Sequence, residues 1–176
     1  MVCRRYYGFI LALLLTVGLS ACVSPHLTSD SIFPEDNGFQ IDEESQIMDS
    51  AEARQVLDVL YHYRQALIAK DFGTLNRLIS EDYYDNAGTT HTTADDYGRE
   101  ELAEIFEMMA QYAESIQYRV LIKDVVIKGE RAHIDYEFDF SYQYRVGDEV
   151  TWDAGVDVNR LQLAREQDHW RITSGL

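Results

Sequence analysis

One stretch of the chain, residues 116–144 with the sequence IQYRVLIKDVVIKGERAHIDYEFDFSYQY, decides the fold. Apolar and polar residues alternate through it with the two-residue period of β-strands. The alternation slips by one residue at Lys123-Asp124, which is typical of a β-bulge. If Gly129-Glu130 is the turn, Val125 lies opposite Ile134 and both halves keep their apolar residues on one face. The stretch therefore predicts a long, bent β-hairpin.

Two further strands are predicted after this hairpin. Beyond a turn at Gly147-Asp148-Glu149, apolar residues alternate over residues 150–158, and a second slip at Asn159-Arg160 precedes Leu161. The last strand contains Trp170-Arg171-Ile172. The four strands predict an antiparallel meander with two bulges, which bends the sheet strongly.

Upstream of the sheet, the apolar residues recur with the helical period. Asp49 and Glu52 resemble a capping pair that starts a helix running to about Lys70. A short second helix is predicted over residues 74–80 and a third over residues 99–113. This order favours an α+β fold, in which three N-terminal helices pack on the antiparallel meander and a short strand follows the second helix.

Several short motifs give this pattern a family resemblance. They are residues 63–71 (YRQALIAKD), Leu75, Leu78, Glu81-Asp82-Tyr83, Gly98, the turn at residues 129–132 (GERA) and Trp170-Arg171-Ile172. The arrangement resembles the nuclear transport factor 2-like superfamily, a cone-shaped fold shared by ketosteroid isomerases, polyketide cyclases and scytalone dehydratase. The resemblance covers residues 50–176 and implies a pocket between helices and sheet. One scaffold hosts unrelated chemistries, so it implies a fold more firmly than a function.

The first residues predict an export signal. Two arginines precede 12 uncharged residues, 8–19, which is the length of a signal-peptide core. The motif Leu19-Ser20-Ala21-Cys22 resembles the lipobox of bacterial lipoproteins, which implies a signal peptide over residues 1–21 and acylation of Cys22. An uncleaved membrane anchor is the alternative. Val23 stands where an aspartate would resemble an inner-membrane retention signal, so the resemblance implies the outer membrane.

Residues 22–49 are predicted to form a flexible acidic tether. From residue 23 to residue 49 there are seven acidic residues, both prolines of the chain, and no Lys or Arg. Such a coil reaches roughly 30 Å, and a docking strip for a basic partner is the alternative role. The domain is then residues 50–176. It contains no disulfide, because the only other cysteine, Cys3, lies in the signal peptide.

Charge and motif content exclude several partners. The formal net charge is −16, from 15 basic and 31 acidic residues, so the protein would repel the phosphates of nucleic acid. No cofactor is predicted. The best candidate metal ligands, His91, Asp95 and Asp96 in one polar loop, include no cysteine and no second histidine, so no metal is predicted either.

The predicted cone interior supplies the candidate ligand-binding residues. Arg64 falls in the middle of the apolar arc of the first helix, where an arginine needs an anion. It either binds the carboxylate of a ligand, pairs with a structural acid such as Asp82 or Asp85, or extends to solvent at the rim of the cone. The predicted ligand is small and either apolar or acidic. Inward-pointing aromatic residues form the rest of the site, or else simply fill the core. These residues are Tyr63, Tyr118, Tyr136, Phe138 and Trp152.

An enzyme is the alternative to a binding or protein-interaction module. In enzymes of the resembled family, an acid in the short strand after the second helix commonly acts as base, and the matching position here is Ala87. Asp85, or His91 with Asp95, could replace that acid beside a tyrosine. An isomerase, cyclase or dehydratase is the reaction class that the resemblance implies.

A scaffold that dimerises through the outer sheet face is the third possibility. The predicted register places Asp139 between Arg119 and Asp157 on that face. Arg119 then bridges two carboxylates, or a basic group of a second copy completes the row. A solvated outer face is the alternative.

Overall fold

A computed structural model describes residues 25–89 and 91–176. The predicted signal peptide and the predicted acylation site Cys22 lie outside the described residues. Within the described ranges, no helix combines the length and the apolar character needed to cross a membrane.

The helices precede the four strands of the meander along the chain, as the sequence predicts. The elements are α1 Ser29–Ile32, β1 Phe39–Ile41, α2 Ala51–Ala69, α3 Phe72–Leu78, β2 Tyr84–Asp85, β3 Tyr97–Gly98, α4 Arg99–Tyr112, β4 Ala113–Lys128, β5 Arg131–Val146, β6 Glu149–Glu166 and β7 His169–Ser174. The large sheet has the order β1-β4-β5-β6-β7, and β2 pairs with β3. The predicted α+β class, with helices on a bent four-stranded meander, is confirmed.

The register of the β4–β5 hairpin is as predicted. Val125 pairs with Ile134 across the Gly129-Glu130 turn, and a register shift lies between Ile122 and Asp124. The shift keeps apolar residues of both strands on the inner face, against the helices. Many of them belong to the core.

The first half of β6 differs from the prediction. β5 and β6 pair without a shift, so the predicted bulge at Asn159-Arg160 is wrong, and the irregularity lies against β7 instead. Trp152 therefore pairs with Gln143 on the outer face, where 57% of its surface is exposed. The register of β5 and β6 stays constant, and the apolar residues in the first half of β6 lie on the outer face. We name the row that results the outer stripe: Trp152, Ala154, Val156 and Val158.

The same register changes the predicted charge row. Asp139 faces Val156, not Asp157, while Arg119 pairs with Asp139 as predicted and donates to it over 2.5 Å. Because residues opposite each other share a face, Asp157 lies on the inner face, opposite Phe138.

The prediction of a flexible tether is wrong for residues 25–49, which pack onto the domain. β1 adds a parallel strand to the sheet, and its residues Phe39 and Ile41 are buried, as are Leu27 and Ile47. The free energy gained by burying these apolar side chains offsets the conformational entropy lost when the segment is ordered. Several of its acids form ion pairs, among them Asp42, 2.9 Å from Lys123, and Asp49, 2.7 Å from Arg54. The folded unit therefore begins well before residue 50.

Two helices cover the inner face of the sheet. Ser50, rather than the predicted Asp49, caps α2 by accepting a hydrogen bond from the Ala53 amide over 3.1 Å. α2 buries a long apolar face, whereas α4 buries only Leu102 and Phe106. The last turns of α4 thus leave the neighbouring part of the inner face incompletely covered.

Candidate ligand-binding face

Three strands contribute inner-facing rows to the site. β4 supplies mostly aliphatic residues, β5 supplies aromatic ones, and the first half of β6 supplies small and acidic ones. We call the β5 row, Tyr136, Phe138, Phe140 and Tyr142, the aromatic ladder. The facing residues of β6 are Thr151, Asp153, Gly155, Asp157 and Asn159.

The aromatic ladder passes from the buried core to an open end. Tyr118 of β4 stacks on Phe138 with ring centroids 5.2 Å apart, and Phe140 lies 5.9 Å from Phe138 and 5.2 Å from Tyr142. Tyr118 and Tyr136 are buried, whereas Phe138, Phe140 and Tyr142 are half-buried. The ladder therefore offers aromatic surface that the protein's own side chains leave partly uncovered.

Gly155 keeps the face open beside Phe140. A Cβ atom at residue 155 would lie 3.1 Å from two carbons of the Phe140 ring, which is closer than nearly all real Cβ contacts. The missing side chain lets the Phe140 ring lie close to the backbone of β6. Sequence reasoning had no reason to select Gly155, because the assumed register placed odd-numbered residues of β6 on the outer face.

The phenols of the inner face stay protonated at neutral pH. Burial raises the pKa values of Tyr63, Tyr118 and Tyr136. Burial, then the neighbouring Tyr136 and the carboxylate of Asp153, raises the pKa of Tyr142 to about 12. The Tyr118 and Tyr136 hydroxyls lie 3.5 Å apart, and Asn159 donates to the Tyr136 hydroxyl over 3.4 Å. These side chains act as neutral packing and hydrogen-bonding groups.

Arg64 is held by the protein itself. Only 7% of its surface is exposed, and its guanidinium donates to Asp36 over 2.5 Å and to the Tyr118 carbonyl over 2.6 Å. Pairing with a structural acid was one of the two predicted roles, but the partner is Asp36, not Asp82 or Asp85. The predicted tether placed Asp36 outside the domain, so Asp36 was not considered as a partner of Arg64. Arg64 is therefore part of the frame of the site, and Tyr63 beside it is buried 6.4 Å from the Tyr118 ring.

Asp85 is buried, but the residues around it satisfy its oxygens. It accepts hydrogen bonds from the amides of Ala87 over 2.8 Å and Gly175 over 2.5 Å, and from the hydroxyls of Ser174 over 3.1 Å and Tyr83 over 3.4 Å. Burial, then a hydrogen bond with Tyr97, raises the pKa of the Tyr83 hydroxyl. Asp85 thus fastens residues 174–175 to β2, and it is not poised beside an open cavity.

The remaining candidates lie away from the ladder. His91 and Asp95 are exposed in the loop between β2 and β3, where Thr89 donates to Asp95 over 3.0 Å. Trp152 lies on the outer face. Among residues 25–89 and 91–176, no group of three or more His, Cys, Asp or Glu side chains could hold a metal ion. Of the predicted ligand-binding residues, the structure brings together Tyr63, Tyr118, Tyr136 and Phe138.

Comparison with known proteins identifies the fold. No family model matches the chain, and no curated protein matches its sequence. A conserved protein from Planctomyces limnophilus has a similar structure, with a TM-score of 0.59 at 20% identity, over 71% of this chain and 93% of its own. An NTF2-like family protein from Streptomyces avermitilis, provisionally assigned as a dehydratase, gives 0.57 at 18% identity over 70% and 92%. A ketosteroid isomerase-like protein from Erwinia carotovora gives 0.56 at 16% identity over 72% and 95%.

The chain therefore has the NTF2-like fold that its sequence motifs predict. At these identities the likeness concerns the fold alone. What the domain does has to come from its own residues.

Proposed function

We propose that this domain, with its NTF2-like fold, is a small-ligand-binding module whose ligand carries an apolar ring. The observation that carries the proposal is the half-buried aromatic ladder, which continues the core as a row of neighbouring rings to an incompletely covered end. Ligand sites combine such apolar walls with a few polar groups that fix orientation. Asp153, Asp157 and Asn159 supply the polar groups on the facing strand.

The enzyme alternative has less support. A general base needs a carboxylate within reach of the substrate, and both oxygens of Asp85 are already engaged by its neighbours. His91 and Asp95 are exposed in a loop. Binding without catalysis accounts for the inner face with fewer assumptions.

The predicted location is part of the same proposal. We place the chain in a bacterial cell envelope, held at the outer membrane by a lipid on Cys22. The lipobox-like motif that ends the uncharged run supports this location.

Replacing Phe140 with alanine is expected to weaken ligand binding about tenfold, because it removes the centre of the ladder. The full chain in phosphatidylcholine nanodiscs would be titrated by calorimetry with 1-naphthylmethylammonium, 1-naphthalenemethanol and 1-naphthoate, with empty nanodiscs as reference. Trp152→Ala, which removes an exposed aromatic side chain from the opposite face, is the matched control and should bind like the parent. If none of the three probes binds, or if both variants bind equally well, the proposal is wrong.

Homodimerisation through the outer face is a second candidate function, favoured by the outer stripe. Val156 and Val158 are 66% and 72% exposed, and a contiguous row of exposed apolar residues on a strand supports an interaction surface there. Among the described residues, β7 pairs only with residues 162–166 of β6, so the rest of β6 is a free sheet edge on that side. A second copy of the chain could cover the outer stripe and this free edge of β6.

An Ala154→Cys variant is expected to form a disulfide-linked dimer in an oxidising envelope, because a stripe that packs on its own copy brings the two cysteines together. Non-reducing electrophoresis would detect it. Adding Val156→Asp should abolish the cross-link, and Thr93→Cys, exposed in the loop after β2, should give none. A monomeric Ala154→Cys chain would contradict the dimer.

A further inference from the structure

We infer that the ligand of the inner face is an organic ammonium ion, with the ring on the aromatic ladder and the cationic group between Asp153 and Asp157. This inference rests on the proposed binding function and names the chemical class of the ligand. It reverses the charge expected from the sequence, which favours an apolar or acidic ligand because of Arg64.

The strand register places the two carboxylates beside the ladder. Asp153 pairs with Tyr142, and Asp157 pairs with Phe138. The ring of Phe140 lies between these pairs, over Gly155. The negative charge of Asp153 contributes, after burial and Tyr136, to raising the pKa of the Tyr142 phenol. A cation at the same place would be stabilised for the same reason.

The described residues leave this charge uncompensated. Neither Asp153 nor Asp157 forms an ion pair within the part of the chain that the structure describes; Asp157 accepts a hydrogen bond only from the adjacent Val158 amide. Both side chains are exposed. The inner rows of β4, β5 and β6 between residues 116 and 159 contain these two carboxylates, that of Glu149, which pairs with Val146, and no Lys or Arg.

Protein groups already hold the basic residues of the helices beside the face. Lys70, at the end of α2, donates to the carbonyls of Ala113 and Glu114 over 3.0 and 3.3 Å. Arg64 of α2 is bound to Asp36. Arg99, the only basic residue of α4, donates to the carbonyls of Ile79 and Ser80 and lies 3.3 Å from Glu81. An anionic ligand on the ladder would therefore meet Asp153 and Asp157, which no ion pair among the described residues neutralises.

Aromatic rings and carboxylates together fit an ammonium ion that bears an apolar group. The faces of Phe and Tyr attract a cation within about 6 Å, and a nearby carboxylate adds Coulomb attraction. A hydrated metal ion would gain nothing from the rings. The site therefore selects the combination of positive charge and ring.

The probes of the binding experiment test the charge preference directly. We expect 1-naphthylmethylammonium to bind at least tenfold more tightly than 1-naphthalenemethanol in low salt, and 1-naphthoate to bind most weakly. Asp153→Asn combined with Asp157→Asn should bring the first two affinities within about twofold and leave binding of the alcohol unchanged.

The net charge of −16 attracts cations everywhere, so a charge-matched control is needed. Glu137→Gln combined with Asp168→Asn removes the same charge from the outer face and from the β6–β7 turn. This control should keep the full preference for the cation. Equal affinity for cation and alcohol, or an equal effect of the two double variants, overturns the inference while the binding function stands. If no probe binds, the binding function fails as well.

Discussion

Replacing Asp36 with alanine is expected to lower the free energy of unfolding by about 3 kcal/mol. The carboxylate accepts hydrogen bonds from Arg64 over 2.5 Å, from Gln65 over 2.6 Å and from the Gly38 amide over 2.9 Å. Without it, Arg64 stays buried against the Tyr118 carbonyl with an unpaired charge. Losing one partner of a buried pair costs more than the pair contributed. Urea unfolding followed by circular dichroism measures the change.

Glu35→Ala is the matched control for this variant. Glu35 is the adjacent acid, it is exposed, and its removal changes the net charge by the same amount. Its free energy of unfolding should lie within about 0.5 kcal/mol of the parent value. Equal stability of the two variants would mean that residues 25–49 do not dock on the domain as described.

Replacing Gly175 with alanine is expected to cost about 3 kcal/mol of unfolding free energy. The residue has φ of +94°, and a Cβ atom there would lie 2.2 Å from the Arg160 carbonyl oxygen, a backbone atom that cannot turn aside. Relieving the overlap moves the Gly175 amide away from Asp85 and its carbonyl away from Asn159, which donates to it over 2.9 Å. A buried carboxylate then loses a hydrogen bond.

Gly88→Ala is the control for this variant, because it adds backbone strain without removing a hydrogen bond from Asp85. Gly88 also has a positive φ, +73°, but nothing lies within 4 Å of the added Cβ atom. This variant should therefore cost only about 1 kcal/mol. If thermal or urea unfolding gives equal losses for both glycines, residues 174–175 do not hold Asp85 in the way argued above.

The sequence was most informative where a pattern has one physical cause. The β4–β5 hairpin could be predicted in register because the turn at Gly129-Glu130 fixes the pairing and because both strands bury one face over their first half. The slip at Lys123-Asp124 could be identified as a bulge because the turn pairs Val125 with Ile134, and a shift in register then keeps Ile122 and Val125 on the same face.

β6 shows why the same reasoning fails elsewhere. A change in the phase of alternation is produced either by a bulge or by apolar residues that change face, and sequence alone does not distinguish the two. Leu161 is buried, whereas Val158, three residues earlier, is exposed. The inner-face carboxylates and Gly155 were missed for this reason. Arg64 could be recognised as needing an anion, but its partner Asp36 lay in a segment whose acidic composition favours disorder.

If Cys22 carries the proposed lipid, the docking of residues 25–49 also limits how far the domain stands from the membrane. Pro25 accepts a hydrogen bond from the Asp49 amide over 2.8 Å, so the segment returns to the start of α2 instead of extending away from it. A lipid on Cys22, as proposed above, would then be linked to the folded unit by three peptide steps, which span roughly 10 Å. The domain would be mounted against the headgroups in a narrow range of orientations, and its ligands would be captured at the bilayer surface instead of deep in the periplasm.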